Sequence, residues 1–402
     1  MKQLLARLGL VLVASAVALC VSDWAAGRWL PLPAMVFRLD DELLYAPLEN
    51  ARRVQPLRPI RGSEWITMQL ESHGFRGDEL DAQKRDPRVL VLGDSLVMAQ
   101  TTRLEDTYCA QLEVRLADEL GRGVEVVNAG ASGYGPDQEC LRLEQLLGPL
   151  APDLVLLVLC AHNDFGDLVR DKLFGLDNRE ELVRLQPRLD PGLVERFRSA
   201  ANAVRKPALL LLLGRLGGGD RPALLESEDS PFLEWYLKGA REEYQEFQVQ
   251  RDPTVRSLFQ DYYDADVSLI PDAPSALFKQ RLMERVLARV RDDCVAASVP
   301  LCVLVVPSSV DLCPDFRVHV DPSQYPHWTP TRMTDAYAAI LRRIGVPFVD
   351  LAGDFAAAGP ETLFLDRTEF HWNRAGAAIG VERTLALLRE QALWPPQGAE
   401  RR

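Results

Sequence analysis

Four short segments of the chain carry side chains that could do chemistry together. Val91-Leu92-Gly93-Asp94-Ser95-Leu96 places a serine hydroxyl directly after an apolar run. A hydroxyl at such a strand end, opening the next helix, can face a cleft while the backbone N–H groups of the turn point at a developing negative charge. Val127-Asn128-Ala129-Gly130-Ala131-Ser132-Gly133-Tyr134-Gly135 is a loop whose glycines let backbone amides come close to a ligand. Cys160-Ala161-His162-Asn163-Asp164 supplies a side-chain amide, and Glu369-Phe370-His371-Trp372-Asn373-Arg374-Ala375-Gly376 supplies an imidazole just ahead of a helix. A nucleophile, a base to take its proton and donors for a tetrahedral oxyanion are the parts that ester cleavage needs. Alone, Gly-Asp-Ser is an ordinary turn and helix-cap sequence. The company of the other three segments gives it a chemical reading, with Asp94 and Asp164 as turn and cap residues that fix their loops.

The elements around these segments predict how they are positioned. Val89 to Leu92, Val124 to Val127 and Leu154 to Leu159 read as strands, the first closed by Gly93 and apolar throughout, as in a strand buried on both faces. Helical patterns run from Glu105 to Leu120 and from Asp137 to Leu147. From about Asp167 to Pro271 the alternation breaks into a charged, helix-like stretch with aromatics at Trp235, Tyr236 and Tyr244, a Gly-rich interruption at Gly217 to Gly219, an apolar run at Ala208 to Leu213 and acids around Glu226 to Asp229. This region reads as an insertion that forms a lid or partner surface. Alternation resumes with a helix from Pro274 to Ala297, a strand at Leu301 to Val306, a helix at Thr331 to Ile344, a strand at Pro347 to Leu351 and a final helix after Asn373. Strands separated by helices imply parallel pairing with right-handed crossovers, hence a three-layer α/β/α domain of about five strands with its chemistry at the carboxyl ends of the strands.

The four segments, in this order, resemble the SGNH or GDSL hydrolase superfamily over roughly Gly74 to Leu388, with the insertion outside the resemblance. The resemblance implies the flavodoxin-like fold of that superfamily, an ester-cleaving activity and no metal or organic cofactor. It further implies Ser95 as nucleophile, His371 as general base and then general acid, and an oxyanion hole made by the backbone N–H of Ser95, the backbone N–H of Gly133 and the Asn163 side chain. Gly133 is preferred over Gly130 on the family's small-residue-then-Gly pattern. Two positions depart from that pattern. Ala161 stands where a glycine is usual, and Thr368 stands three before the histidine, where the family's acid is usual. Glu369, two before, matches a D-x-H-W variant of relatives and is the expected acid. Asp366, five before, and a Ser–His dyad supported by a backbone carbonyl stay open as alternatives.

The bulk numbers bound the rest. A chain of 402 residues, 47% hydrophobic and 26% charged, is that of an ordinary globular protein with a sizeable core. A net charge of −12 argues against nucleic acid and anionic lipid as partners. The seven cysteines have no metal-ligand spacing, and His73, His319 and His327 have no partners at such spacing, so each reads as surface or packing. Lys2 and Arg7 precede an apolar run from Leu8 to Val21, about 14 residues, followed by Trp24 and Trp29 but by no small-x-small cleavage site. The expectation is an N-terminal hydrophobic helix acting as an uncleaved signal anchor, or else a cleaved signal peptide, with the body outside the cytoplasm. The organisation expected is 1–28 signal segment, 29–73 linker and extension, 74–166 and 272–392 the two parts of the hydrolase domain, 167–271 a helical insertion, and 393–402 a tail. The substrate expected is a small acyl ester, or an acylated glycan or lipid of the cell envelope. Two rivals are an O-acyltransferase acting on envelope polysaccharide, which block order disfavours, and a catalytically silent envelope-binding protein, which Thr368 favours.

Overall fold

Three apolar stretches, Arg88–Gly93, Leu154–Ala161 and Leu301–Pro307, are buried along their whole length, as their sequences demand. In the computed structural model they form the middle of a five-stranded, all-parallel sheet. The described residues are 2–29, 35–57, 64–185, 191–204, 233–249, 263–326, 328–367 and 369–394. In chain order the strands are β1 (Phe37–Asp40), β2 (Leu44–Pro47), β3 (Arg52–Pro56), β4 (Trp65–Gln69), β5 (Arg88–Gly93), β6 (Glu125–Asn128), β7 (Leu154–Ala161), β8 (Phe174–Leu176), β9 (Leu182–Arg184), β10 (Leu301–Pro307), β11 (Phe348–Asp350), β12 (Phe364–Asp366) and β13 (Glu369–Trp372).

The central sheet has the order β6-β5-β7-β10-β11. Numbered by their place in the chain these strands run 2-1-3-4-5, the flavodoxin-like order, with the topological switch between β5 and β7. Helices Pro136–Leu150, Asp164–Asp171, Pro274–Ala296 and Arg332–Ile344 pack together on one face. Helices Tyr108–Leu120, Ala352–Ala358 and Arg374–Glu390 cover the other, so the fold is the three-layer α/β/α arrangement expected.

Two regions differ from what the sequence suggested. Within 29–73, read as linker and extension, β1–β2 and β3–β4 form antiparallel hairpins. Leu43, Leu44 and Tyr45 of this stretch join the main core, which a Pro- and Arg-rich composition does not advertise. In the region read as a helical insertion, a short hairpin of β8 and β9 accompanies helices Pro191–Val204, Glu234–Val249 and Ala265–Leu269. The Gly-rich interruption, the apolar run 208–213, the acidic stretch 226–229 and all but two residues of the tail lie outside the described residues.

Lys2–Trp29 is one helix, with Leu10 to Val13, Val17, Leu19 and Val21 exposed. No helix among the described residues is long and apolar enough to cross a membrane, so the expected membrane-spanning anchor is not supported. The apolar run is hemmed in by Arg7 on one side and Asp23 on the other. All seven cysteines are free thiols, Cys20 exposed and the other six buried.

Candidate active site

Ser95 follows β5 and opens a single helical turn, Ser95–Met98. Asp94 caps that turn, its carboxylate accepting from Leu96 N at 2.7 Å. The Ser95 N–H, first in the turn, has no intrahelical acceptor. Gly93 is required here because an added Cβ would lie 2.4 Å from Val97 Cγ2 and 3.1 Å from the Val158 carbonyl oxygen. Ser95 is 8% exposed, so its hydroxyl is largely covered by the residues around the turn.

The Gly133 loop is zipped onto the same strand end by Ala129 N to Val91 O at 2.9 Å and Ala131 N to Gly93 O at 3.0 Å. Its two glycines have different duties. A Cβ on Gly130 would sit 2.6 Å from Met98 N and 2.7 Å from Val97 Cβ, so Gly130 lets the loop touch the Ser95 turn. Gly133 instead has φ +77, a left-handed conformation, at a partly exposed position. The N-terminal hairpin holds this loop: Tyr45 Oη donates to Ser132 O at 3.0 Å, and Tyr134 Oη to Tyr45 O at 2.7 Å.

His371 lies on β13, whose hairpin with β12 brings it over the Ser95 turn. His371 Nε2 is 2.7 Å from Ser95 Oγ, and His371 Nδ1 is 2.5 Å from Glu369 Oε2. Residues two apart on a strand share a face, which is why a carboxylate at 369 reaches the imidazole at 371. Thr368 lies outside the described residues. The Glu369 side chain is 44% exposed and that of His371 20%. A proton on Oγ therefore has an acceptor in line, and that acceptor has a carboxylate behind it.

Asn163 follows β7 and is buried, at the N-terminal end of helix Asp164–Asp171. Its Nδ2 donates to Asp167 Oδ2 at 2.9 Å. Asp164 Oδ2 accepts from Cys160 N at 2.7 Å and so fixes the loop, as read from the sequence. His162 is buried rather than open to a ligand: its Nδ1 is 2.8 Å from Ser308 Oγ, and its ring stacks on Phe370 at 4.2 Å. Ser95 and Asn163 thus follow the carboxyl ends of β5 and β7, the two strands that flank the switch point, which is where sheets of this class usually bind their ligands.

The electrostatics beneath the site are acidic. Burial, reinforced by the charges of Asp94, Asp137 and Asp167, pushes the Glu139 carboxyl well above the usual range. Burial, with Glu139, Asp94 and Asp167, does the same to Asp164.

The profile of the GDSL-like Lipase/Acylhydrolase family matches residues 91–379. The chain belongs to that family. As a GDSL-like lipase/acylhydrolase it is an ester-hydrolysing enzyme. Solved structures similar to it include TesA (14% identity, 75% of this chain and 98% of that one, TM-score 0.37). Others are the psychrotrophic esterase EstA from Pseudoalteromonas sp. (12%, 76% and 99%, 0.36) and a catalytic mutant of an acetylxylan esterase from Geobacillus stearothermophilus (14%, 75% and 94%, 0.38). No curated protein matches the sequence.

Several residues that support the site of this GDSL-like enzyme escape a reading by motif. A one-turn helix leaves its carbonyls without intrahelical donors. Here side chains from three other elements supply them: Trp372 Nε1 to Leu96 O at 3.1 Å, Asn128 Nδ2 to Val97 O at 2.8 Å, and Arg76 Nη1 to Met98 O at 2.7 Å. Arg76 also bonds the carbonyls of Ala99 and Thr102. Burial pulls its guanidinium down to about 10. Asn128 and Trp372 sat inside the motif segments as unassigned neighbours, whereas Arg76 lay ahead of them with only its Gly74-Phe75-Arg76 setting as a signal.

Proposed function

We propose that this protein is a serine esterase that cleaves a small acyl ester, or an acyl group on a glycan or lipid of the cell envelope, through Ser95, His371 and Glu369. The observation that carries this reading is the unbroken line Glu369 Oε2, His371 Nδ1, His371 Nε2, Ser95 Oγ, with contacts of 2.5 and 2.7 Å.

In the acylation step Ser95 Oγ attacks the ester carbonyl carbon while its proton passes to His371 Nε2. Glu369 accepts the Nδ1–H, which keeps the imidazole in the tautomer whose Nε2 is basic and then steadies the imidazolium. The carbonyl oxygen becomes an oxyanion, for which the Ser95 N–H, the Gly133 N–H and the Asn163 amide are the donors. His371 returns the proton to the leaving alcohol, and water repeats the sequence to release the acid. The basic Lys2 and Arg7 ahead of an exposed apolar run support export of the catalytic body from the cytoplasm.

The test is hydrolysis of p-nitrophenyl acetate and longer-chain esters by wild type, Ser95→Ala and His371→Ala. Loss of at least about 10³-fold is expected in each variant. Wild type no faster than Ser95→Ala would end the esterase reading. Product analysis in the presence of a sugar acceptor separates hydrolysis from acyl transfer, since acyl transfer to the sugar exceeding transfer to water would favour an acyltransferase.

A further inference from the structure

When a base takes the proton of the attacking hydroxyl it carries a positive charge that it has neither before nor after the step. Only a group that holds the imidazolium more tightly than the imidazole lowers that barrier. Glu369 is one such group, but its side chain is 44% exposed and water screens it. A second group lies against the ring itself. The Phe370 ring is stacked on the His371 ring, with the centroids 4.4 Å apart and 25° between the planes. An aromatic face is the negative part of the ring's quadrupole, so it attracts a cation within about 6 Å of its centroid and favours the charged imidazole over the neutral one.

Consecutive residues of a strand ordinarily point to opposite faces, so this contact has to be built. The hairpin of β12 and β13 builds it. Phe364 pairs with Trp372 and Asp366 with Glu369, which leaves Leu365 alone opposite both Phe370 and His371. A bulge of this kind re-aims side chains locally. His162 then lies against Phe370, its ring 4.2 Å away and tilted by only 6°. Two near-parallel rings at these distances cannot share one face of a phenyl ring, so Phe370 is sandwiched between the two imidazoles. His162 is a firm backing. It is buried, its Nδ1 is 2.8 Å from Ser308 Oγ, and that oxygen accepts from Val310 N at 3.1 Å. Its carbonyl accepts from Asp264 N at 2.7 Å. The loops after β7 and β10 thus fix one ring, and that ring keeps Phe370 against His371.

We propose that Phe370 is a positioning residue that acts through His371, keeping its π face against the imidazolium while His162 backs it from the other side. The proposal rests on the reading of His371 as the general base.

Fluorinated phenylalanines placed at 370 separate the π face from packing. Each ring fluorine withdraws electron density from the face, while the ring keeps nearly its shape and its apolar character. Hydrolysis of p-nitrophenyl acetate is measured for wild type, for proteins carrying one, two and three ring fluorines at 370, and for Phe370→Leu, with thermal melts to check folding. The expected result is a stepwise decline in kcat/KM with each fluorine, reaching about threefold or more at three. Phe370→Leu should fall about fivefold or more, in kcat rather than in KM. Rates with no trend across the fluorine series would mean that the ring only packs, and would overturn the proposal whatever Phe370→Leu does. A wild type no faster than Ser95→Ala is a different failure: it removes the catalytic reading itself, and the proposal with it.

Discussion

Glu369→Gln isolates the charge behind the base. Gln removes the negative charge but keeps an oxygen that can accept the His371 Nδ1–H. Two unit charges about 4 Å apart interact by about 1 kcal/mol in water and about 4 kcal/mol at the effective dielectric of a protein surface. The Glu369 side chain is 44% exposed, which places the pair toward the screened end of that range. The imidazolium therefore loses about 1 to 2 kcal/mol, or about tenfold in kcat/KM. A buried acid in a serine triad contributes about 10⁴-fold, so this site should be the more tolerant one. Screening also gives a signature: the Debye length falls to about 3 Å at 1 M salt, so the gap between wild type and Glu369→Gln should narrow as salt is added. The assay is p-nitrophenyl acetate hydrolysis from low salt to 1 M, with Asp366→Asn in parallel and expected to stay within about twofold of wild type. Equal rates for Glu369→Gln and wild type at low salt would refute the reasoning. A large loss in Asp366→Asn would move the acid to that residue.

Asp311 tests the fold by pH. It is buried, accepts from Tyr263 Oη at 2.6 Å and Trp328 Nε1 at 3.1 Å on the same oxygen, and burial pushes its carboxyl from 3.8 up to about 7. The penalty for burying its charge is absent below 3.8 and grows up to about 7, so Asp311→Asn should gain on wild type from pH 4 to pH 8, by at most about 4 kcal/mol. Melting temperatures that keep a constant difference across that range would contradict this. At Gly130 the added Cβ of alanine meets the backbone of the Ser95 turn, so Gly130→Ala should cost about 1 to 3 kcal/mol in thermal unfolding and reduce esterase activity. Gly148→Ala, where nothing lies within 4 Å of the new Cβ, is the matched control and should be neutral or mildly stabilising.

The sheet was legible because strands buried on both faces read as short apolar runs, and Arg88–Gly93, Leu154–Ala161 and Leu301–Pro307 are such runs. The hairpins of 37–69 were not legible. Their support comes from distant partners: Tyr45, for instance, is placed by Tyr134 and the Ser132 carbonyl, about ninety positions on, and local pattern carries no trace of that. At the site, the residue types and their order pointed to Ser95 and His371, which lie 2.7 Å apart, and to Gly133 and Asn163, which stand in the loops after β6 and β7. The choice between Glu369 and Asp366 could not be read by spacing, because it depends on whether the segment before His371 is strand or turn. Once β13 begins at Glu369, alternation puts that side chain on the same face as His371.

The insertion shows why charge in a sequence is a poor guide to exposure. Arg170, Asp264 and Asp266 of the charged insertion, and Lys279 on the helix Pro274–Ala296 that follows it, are all buried. Lys279 Nζ reaches Asp264 Oδ1 at 3.2 Å and Asp266 Oδ1 at 2.9 Å, while Arg170 joins Asp167 to Glu243. Burial raises Asp264 to about 7, with the cations of Lys279 and Arg170 pulling the other way. Buried ion pairs are a weak source of net stability, because desolvation offsets much of the attraction, but removing one partner from them is costly. Such a cluster therefore selects one seating of the insertion over others more than it strengthens the fold. Asp264 also ties directly into the site loop, its N–H donating to His162 O at 2.7 Å, one residue before Asn163. The buried charges thus converge on the loop after β7 that carries Asn163, so the seating of the insertion and the shape of that loop are fixed together.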